Sequence, residues 1–172
     1  KNKNYKEGRA PIRLNRDIRT LSESEEQENK MWQQQRLIEY LNEMPIIQLM
    51  LEAVEADDII SYVVQDGNYS GWQKIIVSSD KDFFQLCDEE TVIYRPIQKK
   101  FVNRNNILEE YKIHPNNFAL ARAMVGDRSD NLEGVRGVGL ASVAKRFEFL
   151  VEDKSFLVDD IMKRCEETES KL

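Results

Sequence analysis

The chain has 172 residues, of which 41% are apolar and 33% charged, and its formal net charge is −6. This length suits one compact domain, or one domain with a small helical addition, and the composition fits a soluble globular protein rather than a disordered or membrane-spanning one. No apolar run approaches the roughly 20 residues of a transmembrane helix, so no membrane partner is expected. Cys87 and Cys165 form no CxxC pair, which argues against a zinc cluster or disulfide framework and favours a reducing cytoplasm.

The chain opens with a basic arm. Residues 1–19 hold seven Lys and Arg residues against Glu7 and Asp17, whereas the remainder is acidic. Phosphates of a nucleic acid would be attracted only to local basic surface of this kind, and a solvated terminus without such a role is the alternative. The chain starts at Lys1 and shows no charged-then-apolar leader, which is typical of a fragment of a longer protein.

Helix and strand patterns alternate over the next part of the chain. After an acidic stretch, four apolar residues on one helical face predict a helix that ends before Pro45. Short apolar runs predict buried strands at Ile46–Leu51, Lys74–Ser79 and Val92–Tyr94, and helical patterns begin at Ala56 and at Lys81. Such alternation implies a parallel sheet covered on both faces.

The last third of the chain is predicted to be all-helical. The strand signals stop beyond Phe101 and Val102, and His114, which precedes Pro115 at a helix start, is interpreted as structural. Helical patterns cover Asn106–Tyr111, Asn116–Val125, Ala141–Leu150 and Ser155–Glu169. We therefore predict two domains, residues 1–112 and residues 113–172.

Acidic residues stand in three groups at the ends of predicted elements. Glu55, Asp57 and Asp58 open a helix, Asp80 and Asp82 follow the strand 74–79, and Asp127 and Asp130 close the helix 116–125. Each group alone could serve only as a helix cap or dipole partner. Three groups brought together repel one another unless cations neutralise them, and carboxylates suit Mg²⁺ or Mn²⁺. The spacing indicates a metal-dependent phosphoryl-transfer site.

A glycine-rich segment, Gly134–Gly139, lies between two predicted helices. Its glycines permit close approach of another backbone, and the following helix would direct N–H groups at an anion. From residue 134 to residue 147 the charged residues are Arg136, Lys145 and Arg146, all basic. The pattern indicates a helix–hairpin–helix that holds a phosphate backbone without reading bases, and a plain turn is the alternative.

Three strings, VEADDIISYVV, VSSDKDFFQL and AMVGDRSDNLEGVRGVGLASVAKRF, resemble in order and spacing the 5′-nuclease domain of bacterial DNA polymerase I and the phage 5′→3′ exonucleases and ribonuclease H-type flap nucleases. The resemblance runs from about Tyr5 to Phe149. It implies an α/β fold: a PIN-like catalytic core with a helical arch in residues 1–112, lacking its first strand, and a helix–three-turn–helix module with a SAM-like fold in residues 113–172. It also implies a structure-specific nuclease of replication or repair, which removes RNA primers or flaps near a 5′ single-strand junction.

The resemblance assigns residues by position. It implies that Glu55, Asp57, Asp58, Asp80, Asp82, Asp127 and Asp130 form the site of two Mg²⁺ or Mn²⁺ ions. It implies that Lys6 and Arg9, in the string YKEGR, stabilise the transition state electrostatically. It implies DNA contacts from Gly134, Arg136, Gly137, Val138, Gly139, Lys145 and Arg146, with a K⁺ ion at the hairpin. The expected partner is flapped, nicked or RNA-primed duplex DNA, bound by a monomer in the cytoplasm of a bacterium or of a phage's host.

Two departures from the family bear on activity. The family's first strand and the segment before its arch, each with a metal-binding Asp, have no counterpart in this sequence, so we expect reduced activity of this chain. Leu140 and Ala141 stand where the family often has a Lys, which predicts a weaker grip on phosphate. Two other interpretations are open: a non-catalytic DNA-binding remnant of such a nuclease, and a PIN-type ribonuclease, which would lack the glycine hairpin.

Overall fold

A computed structural model describes residues 21–128 and 130–169. The basic arm with Lys6 and Arg9 lies outside the described residues. The described chain divides into two compact units, residues 21–53 and residues 54–169. The domain boundary that the sequence places at residue 112 stays a prediction. Among the described residues, no helix combines the length and apolar character needed to cross a membrane.

The unit of residues 21–53 is built on helix α1, Glu23–Asn42. Ser22 and Glu25 form a reciprocal capping box at its start, in which the Ser22 amide donates to the Glu25 carboxylate at 2.8 Å. The hydrogen bonds from Ser22 hold the pKa of Glu25 below its ordinary value. The helix ends before Pro45, as predicted.

The segment Ile46–Leu51 forms no strand, so that prediction is wrong. Its apolar side chains lie on the surface, where Ile47 is 83% exposed and Met50 is 93% exposed. A strand needs a neighbour to accept its hydrogen bonds, and the strands of the described sheet pair only with one another. An apolar sequence of this kind favours burial, but it forms a strand only where a neighbouring strand is available to pair with it.

The unit of residues 54–169 contains a mixed three-stranded sheet. Its strands lie in the order β1 (Lys74–Val77), β2 (Thr91–Arg95) and β3 (Lys100–Val102). Strands β1 and β2 are parallel, as predicted, and Ile76 pairs with Ile93. Strand β3 is antiparallel to β2, and Ile93 pairs with Val102, so the prediction of a purely parallel sheet is wrong. The connection 96–99 is too short for the crossover that parallel pairing requires.

The described part of this unit also contains five helices. They are α2 (Ala56–Gln65), α3 (Arg104–Tyr111), α4 (Phe118–Val125), α5 (Leu140–Arg146) and α6 (Val158–Glu169). Short 3₁₀ turns cover Gly67–Tyr69, Asp82–Leu86, Pro115–Asn117 and Glu148–Val151. The helical predictions from Ala56 onward are confirmed, with 3₁₀ turns extending α4 and α5.

Two short strands interrupt the predicted all-helical part of the chain. Strand β4, Gly126–Asp127, pairs antiparallel with β5, Leu132–Glu133. The prediction that strand structure stops at Val102 is therefore wrong. The chain reverses direction between α4 and the glycine hairpin, and the paired strands satisfy its backbone hydrogen bonds there.

The core lies on one side of the sheet. Phe84, Ile93, Ile107 and Phe118 are almost completely buried, and the rings of Phe84 and Phe118 are 5.3 Å apart. The other side of β1 is open in the described structure, where its residue Ile75 is 54% exposed. The expectation that helices cover both faces of the sheet is therefore not met at β1.

Candidate metal and DNA-binding site

Asp80 and Asp82 lie on a turn at the carboxyl end of β1. The Asp80 amide donates to the hydroxyl oxygen of Ser78 at 3.1 Å, and the Asp82 amide donates to the Asp80 carboxylate at 3.0 Å. Asp82 begins the 3₁₀ turn Asp82–Leu86, which two buried phenylalanines attach to the core. The local sequence thus holds both acidic residues at the carboxyl end of a strand, which is where functional groups gather in α/β folds.

Arg122 joins two acidic motifs that are distant in sequence. It lies on α4, and its Nε donates to Oδ1 of Asp82 at 3.2 Å while its Nη2 donates to Oδ2 of Asp127 at 2.5 Å. The three side chains are partly buried: Arg122 is 25% exposed, Asp82 43% and Asp127 23%. A guanidinium suits this arrangement because its planar fork can bind two carboxylates at once.

The surroundings of Asp82 raise the pKa of its carboxyl group. Burial raises the pKa of its carboxyl group, while the charge of Arg122 acts to lower it, and the negative charges of Asp80 and Asp127 contribute to the rise. The carboxylates of Asp80 and Asp127 are therefore close enough to Asp82 to affect its ionisation. Carboxylate oxygens are the ligands that hard divalent ions prefer, so the chemistry of these side chains suits Mg²⁺ or Mn²⁺, although in the described part of this structure they are not gathered around one point.

A cavity of about 460 Å³ lies beside this group. Asp82, Arg122, Asp127 and Asp130 line it, together with apolar residues of α4. Its volume falls in the range of small-ligand sites. The structure thus brings Asp82 of the second predicted acidic group, and Asp127 and Asp130 of the third, to one concave surface.

The first acidic group stands at the start of α2. Glu55 is the N-cap residue, and Asp57 and Asp58 are exposed in the first helical turn. Within residues 21–128 and 130–169, no three acidic, histidine or cysteine side chains stand in position to hold one metal ion. The seven predicted carboxylates are therefore not gathered into a single metal centre in this structure, and their role as ligands stays a prediction.

The glycine hairpin presents its backbone to the outside. Gly134, Arg136, Gly137 and Gly139 are exposed, Val138 is partly buried against the core, and Lys145 and Arg146 are exposed in the last turn of α5. A groove with a volume of about 820 Å³ is lined by Val125, Gly126, Arg128 and residues 131–139. An exposed, concave stretch of backbone bordered by basic side chains suits contact with a phosphate chain.

Sequence reasoning missed Arg122. A signal for it was present, since Arg122 is the one charged residue in the apolar string FALARAMV of α4. A single charge in a helix that packs on the core needs a partner. The partners, Asp82 and Asp127, could not be read from the sequence because they meet only after the chain folds.

Residues 1–112 match the model of a family described as the 5′-3′ exonuclease, N-terminal resolvase-like domain. A 5′-3′ exonuclease of Buchnera aphidicola is 35% identical over 113 residues, covering 65% of this chain and 39% of the relative. A thermostable DNA polymerase I of Thermus filiformis is 30% identical over 135 residues, covering 78% of this chain and 14% of the relative. The chain spans well under half the length of these curated relatives.

Solved structures of bacteriophage T5 proteins share the fold. One, co-crystallised with metal ions, has a TM-score of 0.67 at 19% identity and covers 84% of this chain and 53% of its own. Another, a flap endonuclease in a complex with DNA and metal ions, has a TM-score of 0.63 at 18% identity and covers 78% of this chain and 50% of its own. The common architecture is mixed α/β, with helices and a small sheet.

Proposed function

Because this chain belongs to the 5′-3′ exonuclease N-terminal resolvase-like domain family, we propose that it is part of a structure-specific 5′ nuclease. The reaction is hydrolysis of a phosphodiester near the junction of a duplex and a 5′ single strand, as in flap or RNA-primer removal. The observation that carries the proposal is that Arg122 joins Asp82 to Asp127 beside a cavity at the carboxyl end of β1, where the Asp80 carboxylate accepts from the Asp82 amide.

The proposed cofactor is a pair of divalent ions, Mg²⁺ or Mn²⁺. Asp80, Asp82 and Asp127 would hold them with Asp130, and the family resemblance adds Glu55, Asp57 and Asp58. The support is a set of carboxylate oxygen donors, of which Asp82 and Asp127 are held together by Arg122. When bound, two such ions activate a water molecule and stabilise the leaving oxygen of the phosphodiester.

The protein's own residues orient these groups. Ser78 and the Asp80–Asp82 hydrogen bond fix the turn after β1, and Arg122 holds the carboxylates of Asp82 and Asp127 within reach of one cavity. This pre-arrangement lowers the cost of bringing like charges together when an ion binds. Lys6 and Arg9, outside the described residues, are proposed to stabilise the charge on the scissile phosphate.

The proposed DNA grip is the hairpin Gly134–Gly139 with Lys145 and Arg146. The exposed backbone and the concave surface beside it support contact with the sugar–phosphate chain, and K⁺ is the ion we propose there. In this proposal residues 1–112 form a PIN-like core and residues 113–172 a helix–three-turn–helix module. The proposed partner is flapped, nicked or RNA-primed duplex DNA, bound by a monomer in the cytoplasm.

A second candidate function is that of a DNA-binding module that does not cleave DNA. It is favoured by one observation: Arg122 already neutralises part of the charge of Asp82 and Asp127, so these carboxylates have a partner without a metal ion. Both candidates require DNA binding, and only the first requires cleavage.

A cleavage assay separates the two candidates. A duplex with a labelled 5′ flap is incubated with the protein in Mg²⁺, and the matched control is the same mixture with EDTA. The nuclease predicts Mg²⁺-dependent release of the flap with 5′-phosphate and 3′-hydroxyl ends. Binding of the flapped duplex without any cleavage in Mg²⁺ or Mn²⁺ would favour the DNA-binding module instead.

A further inference from the structure

The backbones of Gly126 and Gly134 cross in direct contact. A Cβ atom on Gly134 would stand 2.1 Å from both the carbonyl carbon and the carbonyl oxygen of Val125, and a Cβ on Gly126 would stand 2.3 Å from the amide nitrogen of Gly134. These neighbours are backbone atoms, so any side chain here forces the two backbone segments apart by about 1 Å before normal separation is reached. Gly126 also has a φ of 75°, which other residues rarely adopt.

Hydrogen bonds hold the crossing on both sides. Gly126 pairs with Glu133 in the β4–β5 ladder, and the amide of Val135 donates to the carbonyl oxygen of Met124 at 2.8 Å. Met124 belongs to α4, whose first residue, Phe118, is fully buried in the core. Helix α4, the β4–β5 pair and the start of the glycine hairpin therefore form one piece attached to the core.

The crossing connects the proposed carboxylate site with the proposed DNA-binding hairpin. Asp127 directly follows Gly126 and is held by Arg122 of α4, and the hairpin that would hold the DNA backbone begins at Gly134. A carboxylate of the reaction site and the backbone that holds the duplex thus emerge from the same crossing. Their separation is set by backbone contact rather than by a flexible linker.

We propose that the Gly126–Gly134 crossing sets the position of cleavage. It fixes how far the phosphate held by the hairpin lies from the carboxylates, and so determines which phosphodiester along the strand is cut. This inference rests on the proposed nuclease function. It assigns Gly126 and Gly134 as positioning residues that act through Asp127 and the hairpin.

The test is the position of the cut made by the Gly134→Ala variant. Gly134 is chosen because only the close approach, and no positive φ, restricts it. On a 5′-flap duplex in Mg²⁺, under single-turnover conditions with enzyme in excess, the cut should move by one or more nucleotides or spread over neighbouring bonds. The rate at the parental bond should fall about a hundredfold, the scale of a 1 Å misplacement.

The matched control is Gly67→Ala. Gly67 lies in an exposed 3₁₀ turn, and a Cβ there would meet nothing within 4 Å. This variant should cut the parental bond at the parental rate. The inference is overturned if Gly134→Ala, shown to be folded by circular dichroism, cuts only the parental bond at a rate within about threefold of the parent, where the crossing predicts about a hundredfold.

A second measurement applies if Gly134→Ala does not fold. In the parent protein, native-state hydrogen exchange should show the Val135 amide protected as strongly as the amides of the β1–β2 ladder, because its bond to Met124 closes the crossing. Exchange at the rate of an exposed loop amide would mean that the crossing opens freely and cannot set a distance.

The two proposals fail in different ways. If the parent protein, with enzyme in excess, cleaves no flapped duplex, the nuclease activity proposed for this chain is refuted. If the parent cleaves at one bond and the Gly134→Ala variant cleaves there equally well, the nuclease function stands and only the role of the crossing is refuted.

Discussion

The Nε of Arg122 lies 3.2 Å from Oδ1 of Asp82, although 40 residues separate the two in sequence. This bond ties α4 to the turn after β1. The same guanidinium also holds Asp127, at the end of α4. One cation thus joins the strand-tip motif to the motif that leads into the glycine hairpin.

Replacing Arg122 by Met should raise the pKa of Asp82 further. Burial and the charges of Asp80 and Asp127 would still act on Asp82, whereas the charge that lowers its pKa would be gone. The variant should also lose about 1–3 kcal/mol of unfolding free energy, the usual cost of leaving a partly buried charged group without its hydrogen-bond partner. Carboxyl NMR titration and urea unfolding at pH 7 measure the two effects in metal-free protein.

The matched control for that change is Arg164→Met. Arg164 pairs with Glu167 on the exposed side of α6, where both side chains are at least half exposed. This variant should change the unfolding free energy by no more than about 0.5 kcal/mol. Equal stability losses at the two positions would show that the Arg122 bonds contribute nothing beyond a surface ion pair.

The buried side chain of His114 should make the protein less stable to unfolding in mild acid. It is 4% exposed, its Nδ1 accepts from the Asn116 amide at 3.2 Å, and its Nε2 lies 3.3 Å from Oδ1 of Asp153. Burial lowers its pKa below the ordinary 6.5; the nearby Asp153 acts against this and Arg104 adds to it. Because the unfolded chain binds the proton more readily, the unfolding free energy should fall as the pH drops below 6.5 and level off below the folded-state pKa.

The slope from this one group is at most about 1.4 kcal/mol per pH unit. Replacing His114 by Asn should remove that slope, because Asn does not titrate in this range and its side-chain oxygen can still accept from the Asn116 amide. Urea unfolding of both proteins between pH 7.5 and 5 gives the comparison. An unchanged slope in His114→Asn would assign the acid sensitivity to other groups.

Neighbouring positions of β1 should differ sharply in their tolerance of truncation. Ile76 is 5% exposed and belongs to the core, whereas Ile75 is 54% exposed. Ile76→Ala should lower the unfolding free energy by about 2–5 kcal/mol, while Ile75→Ala should lower it by less than about 1 kcal/mol. Similar large losses at both positions would show that the open face of β1 is covered in solution.

Gly139→Val tests the proposed DNA grip. Gly139 is the N-cap residue of α5 with an extended backbone, and a Cβ there would meet nothing within 4 Å, so the position has room for the first atom of a side chain. If the backbone approaches phosphate at this point, affinity for duplex DNA should fall about tenfold or more for every sequence alike, since loss of one charge-assisted hydrogen bond is worth ~1.5–3 kcal/mol. Fluorescence anisotropy with several duplexes measures this. An undiminished affinity would show that the hairpin is a plain turn without a role in DNA binding. A loss of affinity that depends on the DNA sequence would indicate base contacts.

The sequence predicted most elements of the unit 54–169 because their patterns are local. Residues 75–77, Ile-Ile-Val, are apolar, β-branched and bounded by polar residues, and they form β1 with Lys74, a few residues before Asp80 and Asp82. The helix from Ala56 to Gln65 likewise follows its apolar periodicity. Such patterns depend on residues that are close in sequence, so the helices and strands that they predict do not require knowledge of contacts with distant parts of the chain.

The remainder depends on contacts between distant residues. Ile46–Leu51 has a strand-like sequence and forms no strand, because a strand exists only with a paired neighbour. The antiparallel direction of β3 follows from the four-residue connection 96–99, which the apolar pattern does not encode. The bonds of Arg122 arise only once α4 packs beside the turn after β1.

The most direct test of the nuclease function compares the parent with the double variant Asp80→Asn and Asp82→Asn on one 5′-flap duplex in Mg²⁺. The substitutions preserve shape while removing two negative charges at the carboxyl end of β1. The variant should bind the duplex at least as tightly as the parent, because no phosphate contact is lost and repulsion is reduced, and it should show no detectable cleavage. Cleavage by the double variant at the parental rate would contradict the assignment of this carboxylate group as the reaction site.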